Sequence, residues 1–209
     1  MFDASPIIRL NGAINKIEDT LIGGVPDFAA TGSQVSGQLG QTFALTDSQL
    51  IYDSAMGTVY GGLFQYVRLA AAAGAPAVGQ GLFWDVSVAP NLYQVTTVES
   101  GSADGAMQLA GINLNSGLSA GNYGVIQLSG LCYVKFRAVL TAAGAAGSRV
   151  FAAGAGAGAD LGEFDVIDSG AAAVFSDVSK MLGRYAGVAF EAPANDSLKR
   201  VWLNIHNLR

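Results

Sequence analysis

Apolar and polar residues alternate one for one over several short stretches of this chain, and a helical spacing stands out only in its first two dozen residues. The clearest alternation lies between Tyr123 and Leu140. There Val134, Phe136, Ala138 and Leu140 interleave with Tyr133, Lys135, Arg137 and Val139, the period of two that sends one set to a core and the other outward. Earlier in the same stretch Ile126 and Leu128 interleave with Val125 and Gln127. Gly124 and Gly130 bound that half and permit bends that a Cβ would obstruct. The expected structure is two strands folded about Gly130.

The opening of the chain has a different period. Ser5 before Pro6 is a helix start, with Gly23 and Gly24 as the stop. Between them Ile7, Leu10, Ile14, Ile17 and Leu21 are spaced three, four, three, four, a short heptad seam weakened by Gly12. The helix either lies on its own domain or joins a parallel bundle, where Ile at both seam positions favours three or more strands. About 17 residues of helix could not hold a trimer alone. In the bundle reading these five residues are the trimer contact.

Residues 1–24 are thus read as an amphipathic helix and 25–49 as an extended arm. The run from Thr31 to Gly40 is rich in Gly, Ser, Thr and Gln and lacks either periodicity. Its backbone groups would be satisfied by adding a strand to a partner's exposed sheet edge, with Ser33, Gln34, Val35, Gln38 and Leu39 as the expected contacts. Residues 50–209 form the body. Strands are expected at Leu50–Asp53, within Ala55–Leu69, and at Leu82–Val88, Leu92–Val98 and Met107–Ile112. After the central ribbon come Ser148–Ala152, Glu163–Ile167, Arg184–Phe190 and Val201–Ile205, the last with Trp202, Asn204 and His206 on its second face. Alanines 70–73 are too few for a helix before Gly74 and Pro76, while a helical turn is allowed near Ser176–Leu182. Short strands at this cadence give a mainly β fold, an antiparallel barrel or sandwich.

Composition narrows the function. Charged residues make up 13% of the 209, against about 25% in ordinary domains, and a neutral surface suits coverage by partners. The 28 glycines imply many turns and close backbone contacts. A net charge of −5, with scattered basic residues, argues against nucleic acid as a partner. No window approaches a membrane span and no secretory signal is visible, so synthesis in a cytosol is expected. The single cysteine, Cys132, excludes an internal disulfide and reads as a packed thiol.

Several segments resemble a known family. Met56, Gly57, Thr58 and Gly62, then Phe64 to Val67 leading into alanines and Gly79, resemble the opening of the cement or decoration proteins on the heads of tailed bacteriophages. Tyr123 to Gln127 with Gly130 is similar to that family's Tyr-Gly-Trp-Val-Gln segment, except that Val125 stands where Trp is common. Leu182 to Ala189 and Val201 to Leu203 resemble its closing strands. The resemblance covers roughly residues 50–205. It implies a β-barrel or sandwich protein, usually trimeric, on the outer capsid surface near threefold positions between capsomers, with the major capsid protein as partner. Lys135 and Arg137 would then either meet an acidic capsid surface or serve as ordinary edge-protecting charges.

Catalytic patterns are weak. Gly117-Leu118-Ser119-Ala120-Gly121 matches the nucleophile elbow formally, with His206 downstream, but the elbow needs a helix after the serine and a strand is expected there. Gly154, Gly156 and Gly158 imitate a dinucleotide loop with no helix pattern following. Asp160, Glu163, Asp165 and Asp168 fit no calcium loop and read as a solvated acidic edge. One His and one Cys cannot build a zinc site within one subunit. No catalytic residue, cofactor or metal is therefore expected. The reading is a trimeric cement protein that bridges capsid subunits by repeated weak contacts. The alternative is a head fibre or adhesin in which Tyr93, Tyr123, Tyr133 and Tyr185 stack on host sugars.

Overall fold

The computed structural model describes residues 21–22, 25–26, 39–45, 51–53, 57–59, 61–71, 73–85, 88–89, 93–97, 108–115, 117–140, 143–152, 162–166 and 183–205. Every regular element among them is a strand. In chain order these are β1 (Leu21–Ile22), β2 (Val25–Pro26), β3 (Thr42–Leu45), β4 (Ile51–Asp53), β5 (Gly57–Val59), β6 (Gly62–Leu69) and β7 (Gly81–Trp84). They continue with β8 (Gln94–Thr96), β9 (Leu109–Asn113), β10 (Tyr123–Lys135), β11 (Arg149–Ala152), β12 (Phe164–Val166), β13 (Tyr185–Ala189) and β14 (Leu198–Asn204). The fold is mainly β.

The central stretch is one strand of 13 residues, not two strands folded back at Gly130. Gly130 has φ +94°, a conformation a side chain resists, and a Cβ there would overlap the Gly61 carbonyl. Just before it, the pairing of β10 with β6 shifts register between Gln127 and Ser129. The strand runs on because both sides are occupied. β6 lies along Tyr123–Gly130 on one side, while β9 at Ile126–Gln127 and then β14 at Ser129–Lys135 follow each other on the other.

Pairings lead away from β10 and return to it twice. The first circuit runs β10, β9, β7, β8, β6 and back to β10, antiparallel except between β6 and β8. The second runs β10, β14, β13, β11, β12. It returns through a parallel bridge between Phe136 and Phe164, where the Arg137 amide donates to the Phe164 carbonyl at 3.1 Å.

Two apolar clusters follow from this arrangement. One gathers Val67, Leu69, Leu82, Trp84, Val95, Ala110, Ile126 and Leu128 from the five strands of the first circuit. The alternate residues of the same strands, Phe64, Phe83, Leu109 and Val125, join Val134, Phe136, Phe164, Val201 and Leu203 in the other. Val125 to Leu128 are consequently buried on both faces. The circuits also meet backbone to backbone. The Gly81 amide donates to the Gly162 carbonyl at 2.7 Å, and a Cβ on Gly162 would stand 2.5 Å from the Gly81 oxygen.

The N-terminal expectations need correcting. Leu21, placed at the end of the helix seam, is in β1, where Ile22 pairs with Val25 across Gly23 and Gly24. This two-residue connection between apolar pairs is hairpin chemistry. Ile7, Leu10, Ile14 and Ile17 lie outside the described residues, as do Ser33, Gln34, Val35, Gln38 and the Ser176–Leu182 turn. In the arm, Thr42–Leu45 pairs antiparallel with β6 of its own chain. Leu39 is half-buried, and the Gly40 amide donates to the Tyr66 carbonyl at 2.9 Å. The expected body strands are otherwise found, generally shorter than the sequence pattern, and Ala70, Ala71 and Ala73 are not helical.

Candidate interaction face

β14 alternates as its sequence requires: Val201 and Leu203 enter the core while Trp202 and Asn204 face outward. The strand register extends that outward face across four strands. Trp202 stands opposite Leu131 on β10 and Val188 on β13, and Val188 stands opposite Arg149 on β11. One row therefore reads Leu131, Trp202, Val188, Arg149, with Leu131 buried, Val188 half-buried, and Trp202 and Arg149 exposed. Close approach of β13 is permitted by Gly187, whose Cβ would overlap the Trp202 carbonyl.

Beside this row Tyr133 faces Arg200, and the Phe190 amide donates to the Arg200 carbonyl at 2.9 Å. The Phe190 and Trp202 rings meet edge to face, 6.2 Å between centroids at 75°. The Arg200 guanidinium lies 5.0 Å from the Phe190 ring centroid. Glu191 holds it there: its Oε1 accepts from the Arg200 amide at 2.8 Å and from Nε at 3.3 Å. Partial burial on its own would raise the Glu191 carboxyl, but the hydrogen bonds and charge of Arg200, with the charge of Lys199, hold it below the usual carboxylate range. Trp202 is 52% exposed and Phe190 45%. An open Trp beside a pre-oriented Arg is the composition of a protein-contact hot spot.

The residues singled out in the sequence fall elsewhere. Lys135 pairs with Asp196, and Arg137 Nη1 donates to Asp165 Oδ2 at 3.1 Å. Both cations are thus engaged within the chain. The solvated acidic edge is corrected by the same contacts, since Glu163 is buried and Asp165 is tied to Arg137 beside the seam that returns β12 to β10. Asp160, Asp168, Gly154, Gly156, Gly158 and His206 lie outside the described residues.

Ser119 sits in an exposed turn leading directly into β10, and its Oγ accepts from Asn122 Nδ2 at 2.8 Å. A strand follows it, as expected. Cys132 is buried, which pushes its thiol pKa far up, and Sγ donates to the Tyr133 carbonyl. The tyrosines considered for sugar stacking make contacts within the molecule. Tyr93 meets Trp84 edge-on, Tyr123 lies under the Arg68 guanidinium, and Tyr185 packs on Phe151.

Sequence reasoning placed Trp202 outward but attached no role to it, and it missed Phe190 and the Arg200–Glu191 pair. It also missed a buried amide cluster. Asn113 Nδ2 donates to the Ala77 carbonyl at 3.0 Å, Asn115 Nδ2 to the Val125 carbonyl at 2.8 Å, and Gln127 Nε2 to the Leu131 carbonyl at 3.1 Å. These bonds satisfy backbone carbonyl acceptors. Among the described residues no three His, Cys, Asp or Glu side chains converge as metal ligands. No family model matches the chain, and no curated protein is significantly similar to it.

Proposed function

We propose that this chain is a structural protein of a tailed-bacteriophage head, a cement or decoration protein that sits as a homotrimer on the outer capsid surface and bridges subunits of the major capsid protein. The observation that carries this reading is the outward aromatic face of β13 and β14, presented by a body whose described regular elements are all strands. Such a face suits binding to another protein surface. In finer detail each strand circuit is taken as a small barrel, the two sharing β10, which makes a stiff spacer suited to transmitting load between contacts. The low charge and the family-like segments at 56–79, 123–130 and 182–203 support the same reading. Multivalency supplies the strength, because three weak contacts on one trimer engage at high effective concentration. The heptad residues Ile7 to Leu21 and arm residues 33–39 are further candidate contacts. Synthesis in the host bacterial cytoplasm precedes addition to the virion.

Heads assembled without the protein test the reading. Adding purified protein is expected to decorate their outer surface at capsomer junctions and raise the temperature at which they release DNA. Heads that withstand heat equally with and without it would exclude the cement role, and binding to host cells in place of heads would favour the adhesin.

A further inference from the structure

We propose that residues 40–45 form a strap that detaches from β6 as one unit while the rest of the sheet stays folded, and that the Tyr93 ring, seated on Gly40, is the latch that holds it. The device belongs to the isolated chain, whatever the arm meets.

One edge of β6 is divided between two strands. β3 pairs antiparallel with residues 62–65, and β8 pairs parallel with Arg68 and Leu69. Gly40, just ahead of β3, and Tyr93, just ahead of β8, meet where the two strands adjoin. The body holds Gly40 at three points. Its amide donates to the Tyr66 carbonyl at 2.9 Å, its carbonyl accepts from Gln65 Nε2 at 3.0 Å, and a Cβ on it would overlap the Tyr93 ring. With φ +82° at this position, glycine alone both takes the turn without strain and leaves room for the ring. Tyr93 is fixed in its turn. Its carbonyl accepts from the Arg68 amide at 3.2 Å, and its ring packs against the first circuit's apolar cluster, edge-on to Trp84. Its own φ is +42°, a conformation uncommon outside glycine that persists only where the surroundings impose it. Left-handed backbone at both facing residues makes the clasp a specified contact.

Beyond the clasp the strap is lightly held. β3 is the last strand in the sheet order, its described pairing is with β6 alone, and Thr42 and Ala44 are exposed, as is Leu63 opposite Ala44. A short edge strand with water on its outer side opens at less than the free energy of global unfolding. Opening lengthens the arm ahead of it by residues 40–45, about 20 Å of extended chain at about 3.3 Å per residue. It also uncovers the backbone groups of residues 62–65, an edge of the kind that takes up an added strand.

Residue-resolved hydrogen exchange of the full chain tests the latch. The Gly40 amide and the Tyr66 amide, which donates to the Gln41 carbonyl at 3.0 Å, report on the strap. The amide of buried Leu109, which donates to the Gly183 carbonyl at 2.7 Å, reports on the body. In the wild type both strap amides are expected to exchange at least about tenfold faster than Leu109. Tyr93→Ala and Gly40→Ala should each speed the strap amides at least about tenfold more than they speed Leu109. Tyr93→Phe should keep the wild-type pattern, and because alanine and phenylalanine carry the same left-handed backbone cost, the two variants isolate the ring. Strap amides that exchange no faster than Leu109 in the wild type overturn the proposal. So does a Tyr93→Ala protein in which all three amides accelerate equally, since Tyr93 would then be an ordinary packing residue, or one in which the strap amides do not accelerate. A Tyr93→Phe protein that behaves as Tyr93→Ala does the same, because the ring would not be the holding group.

Discussion

The strands of the first circuit are buried on both faces over most of their length, whereas those of the second are buried on one face and more open to solvent on the other. β10 passes through both environments. Its first half, Val125 to Leu128, is almost fully enclosed, with Gln127 tied by its amide to the Leu131 carbonyl. In its second half Leu131, Cys132 and Val134 are buried, but Tyr133 and Lys135 are only half covered. The difference is one of neighbours, since the second circuit covers the outer residues of the first and nothing among the described residues covers β14 in return. A face shielded by its own chain stabilises the fold. A face left open, bearing an oriented Trp and Arg, is free for a partner.

Truncation should separate the two faces most sharply. Phe64 lies on the outward side of β6 yet is fully buried under the second circuit. Phe64→Ala is expected to lower unfolding stability by about 3–5 kcal/mol in urea titrations. The same truncation at Trp202, measured on the monomer, should cost about 1 kcal/mol or less. Equal losses at the two sites would erase the distinction.

Gly130, where the halves of β10 join, offers a second comparison. Both Gly130 and Gly121 have positive φ, but a Cβ meets the Gly61 carbonyl at the first and open space at the second. Gly130→Ala should cost about 2–5 kcal/mol, combining backbone strain with overpacking, against about 1–2 kcal/mol for Gly121→Ala. Thermal melts of the two variants would show whether the shared strand depends on that close approach.

The smallest effect is at the Glu191–Arg200 pair. Its folded-state pKa is lowered, so its contribution is fully present above the ordinary glutamate value of about 4.3 and fades as pH falls through the lowered one. Both side chains are 31% exposed, which limits the effect to well under about 1 kcal/mol. Glu191→Gln should flatten that acid limb of the melting curve without altering stability near neutrality by more than this amount. An acid limb unchanged by Glu191→Gln would show that the pair does not order Arg200 over Phe190.

What the sequence determined by itself was local. A period of two within single strands marks which residues of β14 enter the core and which point out, and that much was legible from Val201, Trp202 and Leu203. Turn chemistry brackets most strands to within a few residues. The burial of a lone thiol at Cys132 and the strand after Ser119 were legible on the same terms. Tertiary structure decided the rest, because pairing partners are distant in the chain. Gly130 reads locally as a turn, yet the Gly61 and Gly62 backbone passes beside it and β14 flanks it, so it lies within a continuous strand. Gly23 and Gly24 read as a helix stop, yet Ile22 pairs with Val25 across them. Asp165 reads as a surface acid until Arg137, 28 residues away, is brought to 3.1 Å. Whether an outward side chain meets water or a second layer depends on what another part of the chain lays over it. Alternation along a strand distinguishes two faces but carries no information about what covers each of them.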